Sequence, residues 1–162
     1  MSMSELHKPE WYGECAIISD KYNDYVQIKY KCNGTGTLYD YSLFPGINLI
    51  FMDFNCSDIF HEPIPNKNII EIRHYQKGRV EFELRNNKVF HMKEGELCIN
   101  ALANVPAAYS FPFGYSVGLS CVIDKDSIDA KTKQIFSYYN IDVLNLGQEL
   151  EIEKKWFLCR TP

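Results

Sequence analysis

The stretch Ile69 to Leu84, IIEIRHYQKGRVEFEL, alternates with a period of two and so reads as strand rather than helix. Successive side chains of a strand point to opposite faces. Glu71, Arg73, Tyr75 and Lys77 therefore share one face, and Ile70, Ile72, His74 and Gln76 share the other. After Gly78 the pattern resumes, with Val80, Phe82 and Leu84 set against Glu81 and Glu83: one dry face, one wet. The first half leaves two readings open. Glu71 and Arg73 form a solvated pair on an outer face, which is the simpler reading from pattern alone. Otherwise they point into a polar cavity that holds a small ligand.

The same alternation recurs on both sides. Tyr25 to Cys32 puts Val26, Ile28 and Tyr30 on one face and Gln27, Lys29 and Lys31 on the other. Asn33-Gly34 follows, and both residues tolerate positive φ, which predicts a hairpin into a partner strand at Gly36 to Ser42. Pro45-Gly46 breaks the chain before a buried strand, Ile47 to Phe54. Residues 55–68 form the longest loop candidate. Ile69 to Gln76, Arg79 to Arg85 and Val89 to Met92 read as three strands, the last two joined through Asn86-Asn87. Glu96 to Asn100 and Tyr115 to Ile123 add two more, separated by a segment carrying Pro106, Pro112 and Gly114.

The pattern then changes. Asp126-Ser127 predicts a helix start, with an apolar face of Ile128, Ile135, Phe136 and Tyr139. Glu149 to Lys155 reads as a helical turn, and Trp156 to Cys159 as a return to the sheet. Many short strands at steady spacing predict a mostly β barrel or sandwich, with one or two C-terminal helices over an end or edge.

Composition agrees. A chain of 162 residues fits one domain and buries a core without needing a staple. The aromatic share of 14% favours strands. The formal charge is −4, and no basic run exceeds Lys154-Lys155, so this chain is a poor nucleic-acid binder by itself. The polar start, MSMSELHKPEWYGE, has no apolar signal region, and no run is long enough to span a membrane. The chain is expected to be cytoplasmic. Cys15, Cys32, Cys56, Cys98, Cys121 and Cys159 form no C-x-x-C pair and are expected to be free thiols.

Catalytic signatures are absent. There is no phosphate-binding glycine loop and no G-x-S-x-G elbow. His7, His61, His74 and His91 share no H-x-H spacing or helix face, so neither a metal nor another cofactor is expected.

Glu71 to Glu81, EIRHYQKGRVE, resembles a strand-turn-strand segment of AraC-type transcription regulators. Lys93-Glu94-Gly95-Glu96-Leu97 is similar to that family's G-(D/E)-L turn, and Pro45-Gly46-Ile47 to an upstream PGI. Together these cover roughly residues 40–125. The resemblance implies a cupin-like β-barrel of the double-stranded β-helix type. In metal-binding cupins an H-x-H precedes a Glu that lies seven residues before a hairpin Gly. Glu71 keeps that position relative to Gly78, but Ile64, Pro65, Asn66 and Lys67 stand where the histidines belong, and Ala107-Ala108-Tyr109 where a later one does. Those losses argue against a metal-dependent enzyme.

The resemblance turns the Glu71, Arg73, Tyr75 face inward and makes Tyr109 a residue that stacks on ligand. It implies a sensor barrel over residues 1–125, including an N-terminal arm, and a helical cover or dimerisation segment over 126–162. The partners implied are a small polar molecule such as a sugar, a second copy of the chain, and DNA only through a helix-turn-helix domain downstream of Pro162. The alternatives are a small cupin isomerase or dioxygenase and a stand-alone carbohydrate-binding module.

Overall fold

The computed structural model describes residues 12–13, 16–60, 65–84, 88–103, 106–148, 150–152 and 156–160. These form eleven strands, all paired antiparallel: β1 (Ala16–Lys21), β2 (Val26–Tyr30), β3 (Gly34–Phe44), β4 (Ile47–Cys56), β5 (Asp58–Phe60), β6 (Asn66–Leu84), β7 (Val89–Lys93), β8 (Glu96–Leu102), β9 (Pro106–Ser110), β10 (Ser116–Asp124) and β11 (Phe157–Arg160). The main path runs β1-β2-β3-β4-β10-β6-β8-β11. A shorter set, β5, β9 and β7, joins it through β6. The result is a curled, mostly β half-barrel with a single α-helix among the described residues, α1 (Ala130–Tyr138).

Period two sets the parity as expected. Val26, Ile28 and Tyr30 are buried while Lys29 between them is exposed. β2 and β3 pair across the Asn33-Gly34 turn, and β3 and β4 pair across Pro45-Gly46. Trp156 leads back to the sheet, where β11 pairs with β8.

Four expectations are corrected. Residues 69–85 are not two strands: β6 is one strand of 19 residues. Its first half pairs with β10 and β8, its second with β7 and β9. Gly78 bends the strand instead of turning it back. Its φ is +87°, and the register against β10 skips one residue just before it, with Lys77 opposite Val117 and Tyr75 opposite Gly118. Such a bulge redirects a strand, and here it carries β6 from one part of the sheet into the other. Second, residues 55–68 are not one long loop, because β4 runs to Cys56 and β5 follows to pair with β9.

Third, the helix starts later than predicted. Asp124 caps a 3-10 turn over Lys125–Ser127, and Asp129 caps α1 by accepting from the Thr132 amide. Asp129 accepts at this terminus because the first-turn amides have no partner within the helix. Tyr139 lies outside the apolar face, being 67% exposed, whereas Ile128 is buried and Phe136 packs edge-on against Phe44. Fourth, the described parts of 149–155 are turn rather than helix, with Glu149 and 153–155 outside the described residues. The Asn86-Asn87 turn, Cys15, His7, His61 and most of the N-terminal arm also lie outside them.

Two clusters organise the core. The inner one lies within the curl and includes Ile28, Tyr75, Val80, Phe82, Met92 and Phe111. The outer one places Ile70, Ala101 and Ile123 beneath Ile128, Val143 and Ile152. The C-terminal segment therefore covers the back of β6 around Ile70, where that strand is buried on both faces, while Ile72 and His74 behind it are half-buried and Gln76 is exposed. Cys32, Cys56, Cys98, Cys121 and Cys159 are free thiols.

A methyl group at Gly78 would lie 2.5 Å from the backbone oxygen of Tyr115, whereas at Gly95, with a similar φ of +78°, it would meet nothing within 4 Å. Gly95→Ala is expected to cost about 1–2 kcal/mol from left-handed strain alone. Gly78→Ala is expected to cost clearly more, because backbone must move as well. Urea unfolding midpoints of the two variants measure the difference.

Candidate functional site

β6 carries Glu71, Arg73 and Tyr75 on the face that looks into the curl. Their relative exposures are 9%, 5% and 1%, which rules out the solvated reading that pattern alone favoured. A buried ion is expensive unless it is paired and hydrogen-bonded. Arg73 meets that need on its own strand. Its Nε donates to Glu71 Oε1 at 3.1 Å and its Nη2 to Glu71 Oε2 at 2.5 Å, a bidentate fork. Residues two apart on a strand share a face, so the pairing follows from the sequence spacing.

Neighbouring strands complete the cluster. Ser120 on β10 lies opposite Arg73, and its hydroxyl donates to Glu71 Oε1 at 2.5 Å. Tyr109 on β9 places its hydroxyl 3.3 Å from Arg73 Nη2. The guanidinium carbon sits 5.2 Å from the Phe82 ring centre and 5.3 Å from that of Tyr109, within cation–π range of both. Asn100 on β8 lies opposite Glu71 and is also buried.

The electrostatics follow from this packing. Burial alone would lower the Arg73 pKa, but the Glu71 carboxylate, with Tyr109 and Tyr75 beyond it, more than reverses that and holds it well above its ordinary value. Burial pushes the Tyr75 and Tyr109 hydroxyls up, opposed in part by Arg73, so both stay protonated near neutral pH. Burial likewise pushes the Cys98 thiol up to about 12, which leaves it an unreactive thiol.

A cavity of about 60 Å³ lies against this cluster. Glu71, Arg73, Tyr75, Asn100, Tyr109 and Ser120 form its polar wall, and Leu38, Ile50, Met52, Phe54 and Ile59 its apolar one. Tyr12, held by a hydrogen bond from the Tyr30 hydroxyl to its carbonyl, lines it as well. Arg73 Nη1, Asn100 Oδ1 and the Tyr12 hydroxyl are buried with no hydrogen-bond partner. All four residues singled out in the sequence thus meet in one place. Asn100, Ser120 and Phe82 were not foreseen as members, because strand register, which no local motif encodes, brings them in.

The donor set does not fit a cupin metal. The Glu71 carboxylate carries a guanidinium on both oxygens, and a divalent cation would have to displace it. His91 is exposed, and His74 lies on the opposite parity of β6 from Glu71 and Arg73. Among the described residues no group of three or more His, Cys, Asp or Glu is placed to hold a metal ion. No helix among them is long and apolar enough to cross a membrane.

No family model and no curated protein matches the chain. Solved structures do. A cupin domain of an XRE-family transcriptional regulator from Enterobacter cloacae matches 53% of this chain and 94% of its own, at 15% identity and a TM-score of 0.41. A helix-turn-helix-family transcriptional regulator from Vibrio cholerae matches 53% of this chain, at 15% identity and a TM-score of 0.38. This chain spans only 50% of that protein's length. A variant of Bacillus subtilis oxalate decarboxylase matches 93% of this chain and 42% of its own, at 10% identity and a TM-score of 0.46. The similar structures thus include a cupin domain from one regulator, a second regulator and an enzyme.

Breaking the buried pair and replacing it are expected to differ sharply. Glu71→Gln leaves an uncompensated guanidinium and is expected to destabilise by roughly 3–5 kcal/mol. The double variant Glu71→Leu with Arg73→Met removes both charges and is expected to recover most of that loss. Guanidinium unfolding of Glu71→Leu, Arg73→Met and the double closes the cycle, with Glu71→Gln measured beside them.

Proposed function

We propose that this chain is the ligand-sensing regulatory domain of an AraC-type transcription regulator, a binding module rather than an enzyme. The observation that carries the sensing reading is a cavity whose lining includes the buried Arg73 fork, satisfied on Nε and Nη2 by Glu71 and unpartnered at Nη1. An unsatisfied buried donor is destabilising, and a ligand that accepts from it relieves that cost. The resemblance of the β6 and Lys93–Leu97 segments to AraC-type regulators supplies the regulatory half of the reading. DNA recognition would belong to a separate domain, because this chain carries net negative charge.

A sensed ligand shifts an equilibrium only by its differential affinity for the two states. Tyr12 lines the cavity, so a ligand in contact with it would bias the placement of that residue. Tyr138 and Tyr139, at the end of α1, are 82% and 67% exposed and form the candidate surface for pairing with a second copy.

Two experiments test this. A thermal-shift screen against sugars, organic acids and other small metabolites is expected to give a hit. A ligand at a hundred times its Kd adds about 2.7 kcal/mol, and the Glu71→Leu, Arg73→Met double variant should lose the shift. A screen with no stabilising compound would sink the sensing reading. Sedimentation equilibrium is expected to show a dimer that Tyr138→Ser with Tyr139→Ser weakens; a monomer in both removes the dimerisation role.

A further inference from the structure

Two thiols meet at the open end of the β3–β4 pair. Gly34 of β3 stands opposite Cys56, the last residue of β4, and Cys32 lies two residues before Gly34. Two glycines leave the room in which the thiols approach. A methyl group at Gly34 would lie 3.2 Å from Cys56 Cβ, and one at Gly36 would lie 3.4 Å from Cys32 Sγ. Cys32 packs against the inner core cluster to which Cys56 belongs, and the two thiols are in hydrogen-bond contact. Burial first, and then that contact, pushes the Cys56 thiol up to about 12, so it stays protonated at neutral pH.

Their access to solvent differs. Cys32 is half-buried, whereas Cys56 is 4% exposed. A reagent from outside thus reaches Cys32 first. Cys98 and Cys159 show the contrast. Cys98 stands opposite Leu158 and Cys159 opposite Leu97, so their sulfurs leave opposite faces of the β8–β11 pair. Side chains that diverge are not bridged without moving backbone.

We infer that Cys32 and Cys56 are an oxidation site, a dithiol that closes to an intramolecular disulfide by exchange with a small-molecule disulfide and reopens on reduction. The Cys32 sulfur, once deprotonated, attacks one sulfur of the oxidant and expels the other half as a thiolate. The Cys56 sulfur then loses its proton, attacks Cys32 Sγ and expels the second half. Two protein thiols are oxidised, one disulfide is reduced, and the two protons end on the two thiols released. The high pKa of Cys56 slows the second attack, but contact between the sulfurs makes that attack intramolecular and offsets the loss. The site stands independently of the sensing reading, since neither cysteine is among the residues that line the cavity. The bridge would nevertheless border it. Phe54 is in the lining, and a methyl group at Gly36 would lie 3.0 Å from Phe54 Cδ1.

The test takes the reduced 162-residue chain, folded and at neutral pH, and adds glutathione disulfide. Remaining thiols are then alkylated, and the chain is digested without reduction for peptide mapping by mass spectrometry. A single linked pair, Cys32 with Cys56, is expected, with a loss of two from the six thiols of the reduced chain. The melting temperature is expected to rise by roughly 5–10 °C, as for a loop of that length, and to fall back with dithiothreitol. Cys32→Ser is expected to abolish the thiol loss, and Cys56→Ser to leave Cys32 as a lasting glutathione adduct. Mapping on the unsubstituted chain decides the question even if the Cys56 variant does not fold. A bridge between other cysteines, a bridge between two copies, a Cys32 adduct that never resolves, or no thiol lost from the folded chain would each overturn the inference.

Discussion

A guanidinium enclosed by β-sheet sets the terms for everything around it. Arg73 cannot shed its proton, so its surroundings must supply a carboxylate and hydrogen-bond acceptors in place of water. Glu71 does the first from two residues away. Ser120 then orients Glu71, the Tyr109 hydroxyl meets Nη2, and the Phe82 and Tyr109 rings lie within cation–π range of the guanidinium carbon. Three strands, β6, β9 and β10, converge on one ion. A slip of one residue in β6 would turn the guanidinium to the outer face, where Ile70 and its apolar neighbours sit. The ion thus fixes the register as firmly as the core does.

The parity of the strands was legible from alternation, because a strand with one buried face must repeat every second residue. Val26, Ile28 and Tyr30 show it plainly. The direction in which β6 faces was not legible in the same way. Around Ile70 it is buried on both sides, by the cavity cluster and by the C-terminal segment, and alternation of polar and apolar residues does not distinguish an inner polar face from an outer one. Only the resemblance to a barrel family pointed Glu71 and Arg73 inward.

Gly78 misled for a related reason. A glycine between two alternating runs signals a turn, yet the same positive φ serves a bulge inside a continuous strand. What separates the two is whether partners lie alongside on both sides, and β10, β8, β7 and β9 are distant in sequence or follow later. Asn100 and Ser120 were hidden by the same non-local pairing: each faces the site because of which β6 residue it stands across from.

The Phe82 ring has two occupations. One face of its surroundings is the Arg73 guanidinium, and its edge meets Trp156 at 5.0 Å between ring centres, with Phe90 completing the contact. Trp156 is the residue from which β11 departs to pair with β8. The final described strand is thus stitched by an indole to the side-chain cluster that backs the cavity. A domain boundary drawn anywhere before Trp156 would strip that indole away, let water reach Phe82, and soften the chamber from behind without touching one residue that faces its interior.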